Sequence, residues 1–329
     1  MKKLFLACAM IQAFASSHEE ALAANAPTPQ IWFTMGAISS PAGHHSWEML
    51  YDQPNGPWPA FMDHVKVVSI LTQALVKIPD ADLARVAARL KQKHIAFGLE
   101  MLAQAYDPPG CGGGVEGYYA TDQTAALAAK LKRAGVDLQY IAMDEPLWFG
   151  HYYDGKGACR SSIENVAERV AKNLREYQNH FPNVIIGDGE PIPSITDQPH
   201  WQDDFREWQR VFRAKTGKPL AFMSVDINWG VKHWPDGLKA WQNFARNDAL
   251  PFGIIYNAAP SSAAMSNQDW LDDAQRNFTH IEKTLGIVPN WAVFASWDKF
   301  PGHAITDNYG PGEDYLTKQY LQMHNMSTP

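Results

Sequence analysis

The sequence predicts a single α/β domain folded as a closed barrel of eight parallel strands and intervening helices, the (β/α)8 or TIM barrel. Two positive observations lead there: eight short apolar runs alternate with helical patterns, and 329 residues suit one such barrel. The third is negative. An open, doubly wound sheet would want a glycine-rich nucleotide turn after its first strand, and none follows it. With 46% hydrophobic and 19% charged residues, the chain has ample material for a large core.

Taken in order, residues 1–26 read as a secretory signal peptide: Lys2 and Lys3, an apolar run over 4–15, then small residues at Ala21-Leu22-Ala23. Ala13-Phe14-Ala15 and Ala24-Asn25-Ala26 also fit the cleavage pattern. The barrel is therefore expected over 27–329, in a secreted or periplasmic protein. Strand one is read at 31–35, followed by a long loop to about 62, strand two at 65–70 and a helix opening near Asp80. Strand three is read at 95–100, and after a loop a helix capped by Thr121. Strand four is the run Tyr140-Ile141-Ala142-Met143 that stops at Asp144-Glu145-Pro146.

An aromatic loop, 148–153, precedes the clearest helical stripe of the chain, Ile163, Val166, Ala167, Val170, Ala171 and Leu174, with Ser161 and Glu164 read as its capping box. Strand five, 184–191, again ends in an acid and a proline; a helix over 201–215 leads to strand six at 220–226. A helix over 234–247, strand seven at 252–257, a helix over 267–285, strand eight at 291–298 and a closing helix over 313–324 complete the count.

The formal charge of −7 argues against nucleic acid as a partner, because phosphate binding needs clustered Lys and Arg. No segment after the leader is apolar enough to span a bilayer, so no membrane partner is expected, and the chain is read as a monomer. Cys111 and Cys159 lie in two glycine-rich loops and are a disulfide candidate in an oxidising compartment. No motif calls for a cofactor or a metal: there are no paired His at the end of strand one and no His-Glu-x-x-His helix, and His44-His45 falls in a loop.

In a barrel of this kind the reacting groups come from the carboxyl ends of the strands. Those ends supply Glu100, Asp144, Glu145, Asp188, Glu190, Asp226, Tyr256, Asn257, Trp297 and Asp298, and five of the eight strands end in acid. Such a set suits glycoside hydrolysis, in which one carboxyl stays protonated to serve the leaving oxygen and another, ionised, acts on the sugar or on water. Glu145 is read as the proton donor with Glu190 or Asp226 as its partner and Asp144 beside them. Trp32, Trp148, Tyr152, Trp229 and Trp297 are read as rings that stack on sugar faces of a carbohydrate substrate.

Met143-Asp144-Glu145-Pro146 resembles the Asn-Glu-Pro ending of the large clan of retaining barrel glycosidases, in which that Glu is the acid/base; strand eight, ending at Trp297, looks like theirs too. The resemblance implies a glycosidase barrel, with one departure. The clan has a nucleophilic Glu at the end of strand seven, where this chain has Tyr256-Asn257. The adjacent Asp144-Glu145 also resembles the hexosaminidase barrels, whose Asp orients the substrate's own acetamido group, a scheme that Tyr256 would suit. A carbohydrate-binding barrel without catalysis is a further alternative.

Overall fold

The computed structural model describes residues 28–35, 60–106, 110–259, 266–297, 299–302, 305 and 312–326. The expected leader, His44-His45 and Asp298 lie outside them. The eight expected strands form one closed parallel barrel: β1 (Gln30–Thr34), β2 (Val65–Leu71), β3 (Ala96–Met101), β4 (Leu138–Asp144), β5 (Ile185–Ile192), β6 (Met223–Ile227), β7 (Phe252–Tyr256) and β8 (Trp291–Phe294). Each pairs with the next, and β8 closes on β1 with Trp291 opposite Gln30.

Eight α-helices are described: α1 (Thr72–Lys77), α2 (Asp80–Gln92), α3 (Thr121–Arg133), α4 (Ile163–His180), α5 (Trp201–Thr216), α6 (Trp234–Asn247), α7 (Asn267–Thr279) and α8 (Glu313–Met323). Among these, α1 is absent from the sequence expectation. The stripe on α4 is buried as expected, but its cap is one residue later: Ser162 Oγ accepts the Asn165 amide, while Ser161 Oγ accepts from Arg169. Thr121 is no cap either; it is already helical, and its hydroxyl donates to Asn173 Oδ1. The expected helix over 267–285 ends as α-helix at Thr279 and finishes in a π turn, His280–Thr284.

Two cores follow from the alternation of side chains along each strand. Ile141, Met143, Ile186, Met223, Val225, Ile254 and Phe294 point outward to the helices and join their apolar faces. Residues of the other parity fill the barrel. At its amino-terminal end four rings interlock: Trp32 stacks on Trp291 with centroids 5.4 Å apart and lies 5.1 Å from Tyr140 and 5.3 Å from Phe222. Gly187 makes room for this plug, since a Cβ there would sit 2.3 Å from the Phe222 ring. Ala142, Ser224, Val293 and Ile255 lie one step higher, and the next inward positions on β3, β4 and β6 are Glu100, Asp144 and Asp226.

The expected disulfide is present: Cys111 and Cys159 are bonded, closing a span of 48 residues between the loops after β3 and β4. In the chain-entropy account, a closure of that length stabilises by about 4 kcal/mol at most. Replacing both cysteines by serine is expected to lower unfolding free energy by about 2–4 kcal/mol in a denaturant titration; an unchanged midpoint would show the link to be energetically idle.

Candidate active site

A cavity of about 320 Å³ opens at the carboxyl end of the barrel, walled by Leu71, Gln73, Ala74, Lys77, Glu100, Glu116, Asp144, Glu145, Asp226 and Trp297. Of the residues expected from the sequence, Glu100, Asp144, Glu145, Asp226 and Trp297 meet in it. Glu100 lies next to the end of β3, where its carbonyl is fixed by the Thr72 hydroxyl at 2.9 Å. Asp144 ends β4 opposite Gly189, and Asp226 lies on β6 opposite Pro191. Trp297 stands at the mouth, 46% exposed.

Glu145 has a backbone that few side-chain-bearing residues adopt. Its φ of +46° lies in the left-handed region, at a cost of roughly 1–3 kcal/mol that surrounding contacts must offset. Those contacts are visible. Its amide donates to Gly189 O at 3.0 Å, and its carbonyl accepts the Phe149 amide at 2.9 Å. The chain then enters a π turn, Trp148–Tyr152, a form that clusters at functional sites. The Pro146 carbonyl is held by Gln104 Nε2 at 3.0 Å.

Several expected site residues do other work. Glu190 is fully buried and does not line the cavity: its two oxygens accept the amides of Leu147 and Trp148 at 2.7 and 3.0 Å, pinning the turn that carries Glu145. Asp188, also fully buried, accepts from Trp208 Nε1 at 2.7 Å on the helix side of β5. Both have outward parity, because Gly187 and Gly189 take the inward positions. Trp32 belongs to the plug at the opposite end of the barrel. Tyr256 points outward and donates to Glu282 Oε1 at 2.7 Å, an oxygen shared with the Tyr320 hydroxyl, while His324 Nε2 meets Oε2 at 2.8 Å. This clasp holds α8 against β7.

Asn257 does face inward, but it is buried and bonded to Trp229 Nε1, and neither residue lines the cavity. Trp148 packs on Tyr152, whose hydroxyl donates to Asp204 at 2.6 Å; these rings also lie off the wall.

Sequence reasoning missed Glu116, along with Gln73, Ala74 and Lys77 of α1. Glu116 sits on a loop rather than a strand end, so no periodicity marks it. The loop is fastened at both flanks: Cys111 by the disulfide, and Tyr118–Tyr119 by parallel pairing with Gln104–Ala105. Gly117, at φ +79°, lets this loop press against β4, where a Cβ would meet Asp144 O at 2.8 Å.

Burial, and after it crowding, raises the proton affinity of the cavity's carboxyls. Burial, then Asp226 and Glu116, raise Glu100 to about 7. Asp226 also rises to about 7, through burial and Glu116, opposed by the Ile227 amide. Burial holds Asp144 well above the usual carboxylate range, with Glu100 the leading charge. Glu145 is likewise held well above it by burial, with Asp226 its strongest repulsive neighbour and Asp144, Glu190 and Glu116 adding to it. Glu145 is thus pushed towards its protonated form by burial and by Asp226, whereas at Asp226 the rise is moderated by the Ile227 amide. Two carboxyls in opposite protonation states can run acid and base chemistry in one site.

Glu100 and Asp226 are both raised, so between pH of about 4 and 7 the folded chain binds protons that the unfolded chain releases. Stability contributed by these groups is greatest at the acid end and is lost as pH rises towards 7. Asp226→Asn removes the central repulsion and is expected to raise stability near pH 8 by roughly 1–3 kcal/mol, with a smaller gain near pH 5. Thermal melts at both values measure it, and equal or reversed gains would contradict the electrostatic account.

No family model matches this chain, and no curated protein does. Among solved structures it is similar to a GH10 endoxylanase retrieved from a sugarcane soil metagenome, at 10% identity and a TM-score of 0.50 over 90% of this chain and 96% of that one. It is also similar to xylanase 10B of Thermotoga petrophila in complex with xylobiose, at 11% identity and 0.47 over 90% and 94%. A third is the catalytic domain of a mannanase from Streptomyces sp. SirexAA-E, at 13% and 0.46 over 88% and 87%. At these identities the likeness is one of fold, and the chain folds as a (β/α)8 barrel.

Proposed function

We propose that the protein is an exported glycoside hydrolase, with Glu145 as proton donor and Asp226 as its ionised partner. The observation that carries this reading is the meeting of Glu145 and Asp226 in one cavity at the carboxyl end of the barrel, with Asp226 the strongest charge acting on Glu145. Glu145 gives its proton to the glycosidic oxygen as the anomeric C–O bond breaks. The Asp226 carboxylate either takes a proton from the attacking water or bonds the anomeric carbon until water replaces it. Asp144, beside Glu145 in the chain and in the cavity wall, adds to the burial and the Asp226 charge that raise the proton affinity of Glu145.

Two further facts agree with the reading. Trp297 offers an exposed aromatic face at the mouth, suited to the apolar side of a pyranose. The endoxylanase of similar fold acts, by its name, on a polysaccharide. The substrate-assisted scheme loses its tyrosine, because the Tyr256 hydroxyl is committed to Glu282. Export is supported by the leader pattern and by the disulfide, a bond of oxidising compartments. Among the described residues no helix is long and apolar enough to cross a membrane.

Glu145→Gln keeps the side-chain shape and removes the transferable proton. Reducing-end release from a polysaccharide panel is expected to fall by about 10²–10⁴-fold with the circular dichroism spectrum unchanged. Turnover within a few fold of the natural chain would remove Glu145 from the role.

A further inference from the structure

Hydrolysis of a glycosidic bond employs two carboxyl groups. Among the described residues this cavity holds five, from Glu100, Glu116, Asp144, Glu145 and Asp226, with Lys77 the one cation in its wall. None of the five is ion-paired among the described residues. Glu100 and Asp144 line the cavity, partly buried, and neither carboxyl has a hydrogen-bond partner within the protein among the described residues. A carboxyl partly withdrawn from water without a partner is costly, and a ligand in the cavity can supply one. The surplus acids repel one another, so a neutral sugar would leave that repulsion standing.

Resting on the glycosidase reading, we infer that the substrate is a polymer of amino sugars with free ammonium groups, and that Glu116 is the residue that selects the ammonium. An ammonium carries three donors and a positive charge, and each matches something the cavity lacks. A metal ion is the poorer fit, since no group of His, Cys, Asp and Glu among the described residues is arranged to hold one. Glu116 is the exposed member of the set, placed at the rim by the disulfide-fastened loop, and its charge acts on Glu100, Asp144, Glu145 and Asp226 alike. A cation arriving at Glu116 therefore relieves every carboxyl behind it.

The test offers the mature chain polymers of β-linked glucosamine and α-linked galactosamine, the N-acetylated form of each, xylan and mannan, and reads reducing-end release. The expected result is cleavage of an amino polymer with kcat/KM about tenfold or more above its N-acetylated form and above both neutral polymers. Glu116→Gln should bring that ratio close to one, while Glu116→Asp, which keeps the charge, should retain most of it. Equal or better cleavage of an acetylated or neutral polymer would overturn the inference and leave the glycosidase reading standing. Release from none of the polymers would overturn that reading as well. A preference that survives in Glu116→Gln would remove Glu116 as the selecting residue.

Discussion

Alternation of side chains along a closed parallel sheet is the constraint on which this structure depends. Once the strands close into a ring, every second residue belongs to the barrel interior and the rest belong to the helices. The step from Tyr140 to Ala142 to Asp144 on β4, and from Phe222, just before β6, to Ser224 and Asp226 on it, runs from an aromatic floor to an acid rim. One residue of register separates an acid in the cavity from an acid in the wall. Asp188 and Glu190 fall on the other side of that division and became anchors for Trp208 and for the turn after β4.

The rim opposes stability. Carboxyls brought together in a partly dry space repel, and the fold holds them there by the Thr72 grip on Glu100, the Glu190 grip on Leu147 and Trp148, and the loop carrying Glu116. The left-handed backbone of Glu145 adds local strain at the same point. Strain and like-charge crowding together at one end of an otherwise well-packed barrel are what a reacting site requires and a structural surface does not.

Most of the architecture was legible in the sequence because strand and helix periods differ, and all eight strands lie within a few residues of the positions read from apolar runs. The site was legible in part. Strand ends identified Glu100, Asp144, Glu145, Asp226 and Trp297, but a list of strand-end acids ignores parity, and parity excluded Asp188, Glu190 and Tyr256. Counting back in twos from Asp188 to Ile186, an apolar residue facing the helices, would have separated it from Asp144. Trp32 misled for a related reason: an aromatic on β1 serves the floor as readily as the mouth, and only the register with Trp291 decides. Glu116 carries no periodic signal, since its place comes from a disulfide and from loop pairing between distant residues.

The central claim is that Glu145 holds its proton to a higher pH than Asp226, which is ionised once the pH passes about 7. Infrared difference spectra between the natural chain and Glu145→Gln, recorded at pH of about 7.5, test it most directly, because protonated and ionised carboxyls absorb in separate regions. The account predicts that the variant loses a protonated-carboxyl band, and that Asp226→Asn loses an ionised one. Loss of an ionised band in Glu145→Gln, with no protonated band lost, would contradict it.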